Sequence, residues 1–69
     1  MGESVYKLID LVGSSPNSWE EAAKNAIDRA GQSIRDIRIA EVQKFDVKIQ
    51  EGQPLQYRTS IRLSFKYED

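Results

Sequence analysis

The 69-residue chain has no cysteine and no histidine. Without cysteine it has no disulfide bonds and no thiolate metal ligands, and without histidine it has no imidazole ligands and no triad that depends on an imidazole base. No stretch approaches the roughly 20 apolar residues of a membrane-spanning helix. Residues 1–4 lack the basic and apolar segments of a secretory signal. We therefore expect a cytoplasmic location and no membrane partner.

A strong charge of either sign is also missing. Ten lysines and arginines against eleven aspartates and glutamates give a net charge of −1, so the totals do not favour a nucleic-acid partner. The composition, 39% hydrophobic and 30% charged, is that of a folded globular chain. We expect a single domain over residues 1–69 with an ordered core over 5–67. A chain this short buries only about three-fifths of its unfolded surface, so it is expected to need support from copies of itself.

The first apolar segment, residues 5–12, predicts a strand that is apolar on both faces. A two-layer domain needs only one apolar face, so the second face is expected to meet another surface. An exposed apolar patch is the alternative. Residues 13–17 are all common turn formers and predict a loop.

A helix is predicted to begin after Ser18, because Ser18 and Glu21 have the spacing of a capping box. Apolar residues then recur at the three-and-four spacing of one helical face. They are Trp19, Ala22, Ala23, Ala26, Ile27, Ala30 and Ile34. Because alanine dominates this face, the helix is expected to lie close to a sheet.

Two long extended segments follow. The segment over residues 35–50 changes its apolar phase, which predicts a bulge near Gln43 and Lys44, and the segment over 55–67 alternates cleanly. They are expected to form an antiparallel hairpin, with the first strand pairing against either. The fold class predicted is α+β, a β-α-β-β chain with a three-stranded antiparallel sheet wrapped around one helix.

The charged residues within the predicted strands suggest limited chemistry. The carboxylates of Asp10, Asp36, Glu41 and Asp46 are expected to be exposed or ion-paired. With only oxygen ligands available, a bound metal would be a hard cation such as calcium or magnesium. No nucleophile has a paired base, so an enzyme is not expected.

A basic stripe on the last segment has two interpretations. Its members, Arg58, Arg62 and Lys66, could hold the phosphates of a single-stranded nucleic acid. Alternatively, the stripe is a solvated face whose cations pair with carboxylates across the strands. The missing aromatic residues on that face favour the second interpretation.

Five segments together resemble the dodecin family: KLIDLVGSS at residues 7–15, SWEEAA at 18–23, AIDRA at 26–30, AEV at 40–42 and YRTSIRLSF at 57–65. The resemblance covers nearly the whole chain in order. It implies a β-α-β-β protomer and assembly into a hollow homododecamer. It also implies binding of flavins such as riboflavin or FMN between symmetry-related chains, for storage or buffering rather than turnover.

The resemblance also identifies the residues at the flavin pocket. Ile39 stands where flavin-binding dodecins have a tryptophan that stacks on the flavin, and Arg58 where they usually have a glutamine. Asp46 replaces an arginine found in many bacterial members. An aliphatic side chain cannot supply aromatic stacking, which contributes about 1–3 kcal/mol per ring in base–aromatic contacts. These replacements imply weak or absent flavin binding.

With these replacements the chain is most similar to the dodecins that lack the stacking tryptophan and are described as calcium dodecins. Glu41 and Asp46 would then supply oxygen ligands for calcium. Two functions stay open: a dodecin that stores a flavin in an altered pocket, and a flavin-free dodecin that binds calcium or acts as a structural cage. In either case the expected partners are copies of the same chain and a small ligand.

Overall fold

The computed structural model describes residues 4–67. The elements are strand β1 (Tyr6–Ser15), helix α1 (Trp19–Gly31), strand β2 (Ile37–Lys48) and strand β3 (Gln56–Lys66). The strands form one sheet in the order β1-β3-β2, and both pairs are antiparallel. The predicted α+β class, the β-α-β-β order and the three-stranded antiparallel sheet are confirmed. No helix in the described part of the chain is long and apolar enough to cross a membrane.

Helix α1 starts where the sequence predicts it to start. Ser18 is extended, and its hydroxyl accepts a hydrogen bond of 3.0 Å from the backbone N–H of Glu21. The Glu21 carboxylate in turn accepts from the Ser15 hydroxyl and the Asn17 amide, both at 2.9 Å. These bonds tie the end of β1 to the first turn of the helix. The helix ends at Gly31, so Ile34 lies beyond it, although its side chain still packs against the core.

The prediction of a loop over residues 13–17 is wrong for its first three residues, because β1 continues to Ser15. Gly13 pairs with Thr59 and Ser15 pairs with Tyr57 on β3. A Cβ atom on Gly13 would collide with the backbone carbonyl of Ala22. Glycine is therefore needed here for close approach of the helix to the strand rather than for a turn.

The core lies between α1 and the sheet. Ala26 and Ala30 of the helix are buried in one cluster with Ile61 and Leu63 of β3, and Ala22 on the same helical face is fully buried beside Gly13. The predicted alanine face of the helix is confirmed. We call the side of the sheet that packs on α1 the inner face, and the opposite side the outer face.

Strand β2 is irregular, as its sequence predicts. Its pairing with β3 shifts between Val42 and Lys44, and also between Ile37 and Ile39. The first of these shifts lies at the bulge expected near residues 43 and 44. Asp36 precedes the strand, contrary to its expected place within it, and has φ 59°, a left-handed conformation that aspartate tolerates.

Candidate functional site

The outer face of the sheet carries the residues that the sequence selects as site candidates. Ile61 and Leu63 are buried on the inner face, so Ser60 and Arg62 between them point outward. Residues directly opposite each other in neighbouring strands share a face. The outer face therefore includes Asp10, Ile39, Glu41, Asp46, Arg58 and Arg62.

Large apolar side chains are exposed on this face. Leu8 is 54% exposed, Val12 59% and Ile39 61%. The first strand is therefore apolar on both faces, as predicted: Ile9 and Leu11 pack against the core, whereas Leu8 and Val12 face away from it. The outer face is an apolar surface that the helix does not cover.

Asp46 and Arg58 form a two-pronged ion pair on the outer face. The Arg58 Nε lies 2.7 Å from Asp46 Oδ1, and the Nη2 lies 3.0 Å from Oδ2. The hydrogen bonds from Arg58 lower the pKa of Asp46 below its usual value, and the same bonds raise the pKa of Arg58. Both groups are charged at neutral pH, and both carboxylate oxygens accept from one guanidinium.

Asp10 and Arg62 form a second pair of the same kind. The Arg62 Nε lies 2.8 Å from Asp10 Oδ1, and the Nη2 lies 3.1 Å from Oδ2. Hydrogen bonding to Arg62 lowers the pKa of Asp10. The pKa of Arg62 is raised first by Asp10, and the charge of Glu41 on the other side contributes to the shift. The expectation that strand carboxylates pair with the basic stripe is thus confirmed for Asp10 and Asp46.

The structure brings some of the candidate residues together and separates others. Asp46 and Arg58 are in contact, whereas Ile39 lies opposite Ser64, farther along β3. Glu41 lies opposite Arg62 and Asp46 opposite Arg58, which places the two carboxylates about 13 Å apart along the strand at the usual rise per residue. Within residues 4–67 no group of three or more acidic side chains is placed to hold a metal. A cation site that uses Glu41 or Asp46 would therefore need further ligands from outside one protomer.

Trp19 is a residue of this site that sequence reasoning missed. Its indole Nε1 donates a 3.0 Å hydrogen bond to the backbone carbonyl of Asp46. The indole also packs edge-on against Phe45 and Tyr57, with ring centroids 5.7 and 5.1 Å away. The sequence predicts that Trp19, in the apolar stripe of the helix, is a core or interface anchor, with stacking on a cofactor as the less favoured alternative, but it does not predict the contact with Asp46. The signal available was the strand alternation, which puts Phe45 and Tyr57 on the same side as the helix.

Comparison with known proteins gives consistent matches along the chain. The family model described as Dodecin matches residues 5–68. The calcium dodecin of Mycobacterium tuberculosis is 46% identical over 63 residues, which are 91% of this chain and 89% of that protein.

Two solved structures show the same fold. The crystal structure of calcium dodecin from Mycobacterium tuberculosis, described as having a novel calcium-binding site, matches with a TM-score of 0.86 and 45% identity over 94% of this chain and 93% of that one. The dodecin of Streptomyces coelicolor matches with a TM-score of 0.90 and 30% identity over 100% of this chain and 99% of that one.

Proposed function

This chain belongs to the dodecin family, and from that premise we propose that it is a non-enzymatic protein that assembles with copies of itself and binds calcium between them. The observation that carries the proposal is the outer face of the sheet, where carboxylates lie among exposed apolar side chains. One relative, 46% identical to this chain, is named a calcium dodecin.

Self-assembly follows from the apolar part of the outer face. Leu8, Val12 and Ile39 are each more than half exposed in the protomer. Burying a side chain of this size contributes about 1.5–3 kcal/mol, so copies that cover these residues are favoured over separate protomers. We take the assembly to be the hollow homododecamer that the family resemblance implies.

Calcium suits the polar part of this face better than a flavin does. Asp46 and Glu41 offer carboxylate oxygens, the ligands that calcium prefers, and because they lie far apart along β2, each would need further ligands from another copy. Ile39 cannot stack on an isoalloxazine ring. Arg58, in the position where flavin-binding dodecins have a hydrogen-bonding glutamine, directs its donors to Asp46.

Calorimetric titration with calcium chloride tests the proposal. We expect the wild-type assembly to bind calcium and Asp46→Asn to weaken binding at least tenfold. The matched control is Asp28→Asn, which removes an exposed carboxylate paired with Lys24 on the helix and should leave calcium binding unchanged. An assembly that binds neither calcium nor magnesium would contradict the proposal.

A flavin is the second candidate ligand, to be stored rather than converted. It is favoured by one observation: the three residues that the resemblance assigns to the flavin pocket, Ile39, Asp46 and Arg58, share the outer face. The fluorescence of a flavin held there should be quenched on binding. Added FMN whose emission stays unchanged at micromolar protein would remove this candidate.

A further inference from the structure

A cavity of about 660 Å³ opens at one end of the sheet, where the start of β1 and the end of β3 meet the linker between α1 and β2. Its lining includes three cationic side chains and three apolar or aromatic ones: Lys7, Arg35, Lys66, Ile34, Phe65 and Tyr67. We propose that this cavity binds a small phosphate monoester, with the phosphate on the cations and an apolar group on the aromatic rings. The inference goes beyond the proposed function and does not depend on calcium binding.

The charge of the cavity is opposite in sign to that of the whole chain. Its three cations stand against one carboxylate, that of Asp36, which gives these four lining residues a charge of +2, whereas the chain carries −1. In the part of the chain that the structure describes, the salt bridges are made by other cations: Lys24, Arg58 and Arg62. A phosphate monoester carries about −1.5 to −2 at neutral pH, which matches the excess positive charge of the cavity.

The linker holds Arg35 at the wall of this cavity. Ile34, before it, packs against the core, and its N–H donates to the Ala30 carbonyl at 2.9 Å. The carbonyl of Asp36, after it, accepts a 3.4 Å hydrogen bond from the N–H of Lys66. The backbone is thus fixed on both sides of Arg35, whose guanidinium can offer two parallel donors to a phosphate.

The end of α1 lies beside the cavity, and its free carbonyl groups would repel an anion. Two of these carbonyls are already hydrogen-bonded. The Arg29 carbonyl accepts from the N–H of Gln32 at 3.2 Å, and the Ala30 carbonyl accepts from the N–H of Ser33 at 3.1 Å. These donors offset part of the negative charge at the helix end, so the nearby cations dominate the potential in the cavity.

The aromatic wall favours an ester over inorganic phosphate. The Lys7 Nζ lies 5.9 Å from the centre of the Tyr67 ring, which places a cation beside an aromatic surface. Phe65 is the register partner of Lys7 on β3 and is half-buried. An apolar group attached to the phosphate can therefore lie against these rings while the phosphate contacts Lys7. Sites for small molecules commonly combine an apolar lining with a few charged groups in this way.

The cavity is separate from the carboxylate that the calcium proposal uses. Arg58, the partner of Asp46, and Lys66 lie about 26 Å apart along β3 at the usual rise per residue. The two sites therefore lie toward opposite ends of the sheet, and a variant of one can serve as a control for the other.

The experiment is a calorimetric titration of the full-length assembled protein with phenyl phosphate, inorganic phosphate and phenol. We expect phenyl phosphate to bind about fivefold more tightly than inorganic phosphate because of its ring contacts, and phenol to show no binding at the same concentrations. Arg35→Gln should weaken the binding of phenyl phosphate about tenfold, since it removes charge-assisted hydrogen bonds. The matched control is Arg29→Gln, which removes the same charge from an exposed position in the last helical turn and should change the affinity by less than about twofold.

Asp36→Asn tests the sign of the electrostatic effect. The substitution removes the carboxylate that opposes an anion, and asparagine tolerates the left-handed backbone of this position, φ 59°, as aspartate does. We expect phenyl phosphate to bind about twofold more tightly to this variant. Weaker binding would contradict an anion held at this wall.

The remaining outcomes decide whether the site exists and where it lies. The proposal is overturned if phenyl phosphate binds no more tightly than phenol, or if Arg35→Gln weakens binding no more than Arg29→Gln. Should Arg35→Gln fail to assemble, Lys7→Gln takes its place, and wild-type affinity in that variant overturns the proposal. Asp46→Asn, which is expected to weaken calcium binding, should keep the affinity for phenyl phosphate. A loss of that affinity would place the phosphate on the outer face and contradict this site, whereas a failure to bind calcium leaves it standing.

Discussion

The inner and outer faces of the sheet differ in how much of their apolar surface a single chain buries. On the inner face Ile61 and Leu63 are buried under the alanines of the helix. On the outer face Leu8, Val12 and Ile39 are mostly exposed. The inner face has a buried core within one protomer, whereas the exposed apolar side chains of the outer face would be covered only by another surface. We assign that surface to further copies of the chain.

The polar groups of the two faces also differ in how far they are exposed to water. The inner face buries the hydroxyls of Thr59 and Ser15, which donate to the Trp19 carbonyl and to the Glu21 carboxylate at 2.9 Å. Burial makes these bonds costly to break. The arginine pairs of the outer face are exposed to water, so their partners can be exchanged at much lower cost. Ligand chemistry is therefore expected on the outer face.

The largest loss of stability is expected for a substitution of Gly13, on the inner face. Gly13→Ala places a methyl group against the Ala22 carbonyl and the Ala26 side chain, so strand and helix have to move apart. We expect the free energy of unfolding to fall by about 3 kcal/mol or more, at the upper end for overpacking. Chemical denaturation at fixed protein concentration measures it.

Gly31→Ala is the control for that change. Gly31 ends the helix and has open space where a Cβ would lie, so alanine there should be neutral or stabilise by up to about 1 kcal/mol through helix propensity. If Gly13→Ala and Gly31→Ala lowered the free energy of unfolding equally, the close approach of helix and strand at Gly13 would not be the cause of the loss.

The next largest effects are expected for alanine substitutions of two leucines on opposite faces of the sheet. Leu63 is fully buried, and Leu63→Ala should cost about 2–5 kcal/mol through lost burial and a cavity. That loss should not depend on protein concentration. Leu8→Ala should instead raise the concentration at which the assembly dissociates, because in the proposed assembly other copies cover Leu8. Dissociation measured by dilution in the ultracentrifuge distinguishes them, and a Leu8 variant that dissociates like wild type would contradict the assignment of the outer face.

A smaller effect is expected at Trp19, which links the two faces. Trp19→Phe keeps an aromatic ring but removes the hydrogen bond to the Asp46 carbonyl, which should cost about 1 kcal/mol. Tyr57→Phe keeps the ring that packs on Trp19 and should be close to neutral. Thermal melts of both variants, monitored by circular dichroism, test this. A Trp19→Phe variant as stable as Tyr57→Phe would show that the hydrogen bond to the Asp46 carbonyl contributes nothing.

The smallest change in stability is expected when low pH protonates the aspartates of the outer face. The pKa values of Asp10 and Asp46 lie below the ordinary 3.8 because each accepts hydrogen bonds from an arginine. A lowered folded-state pKa gives stability that is present above the ordinary value and is lost as the pH falls through the folded value.

Below about pH 4, the ordinary range for aspartate, wild type should therefore lose stability more steeply than the double variant Asp10→Asn with Asp46→Asn. The difference should shrink in 1 M salt, since exposed charges are screened. Unfolding curves between neutral and acid pH make the comparison, and parallel curves would show that the pairs contribute nothing.

The sequence predicted the inner face well because packing leaves a periodic signal. The alanine face of the helix, the alternation of β3 and the bulge before Lys44 were all readable from residue spacing. The end of β1 was not, because Gly13 and Ser15 are turn formers by type. They belong to the strand for tertiary reasons: the helix backbone needs the space beside Gly13, and Glu21 accepts from the Ser15 hydroxyl.

The outer face was predictable in kind but not in detail. Alternation indicated that carboxylates would pair with the basic stripe, yet the partners depend on register. The shift between Val42 and Lys44 places Asp46 opposite Arg58, and residue spacing alone does not fix the size of such a shift. Whether Glu41 and Asp46 share a ligand with another copy depends on the arrangement of chains, which lies outside the information in one protomer.

The most direct test of the account is the mass of the wild-type particle, measured by sedimentation equilibrium at micromolar concentration. If copies cover the outer face, the protein should sediment as one assembled species, at twelve times the 7.9 kDa chain mass for the homododecamer. A well-folded species of 7.9 kDa at that concentration would contradict it, because the exposed apolar residues of the outer face would then need no partner.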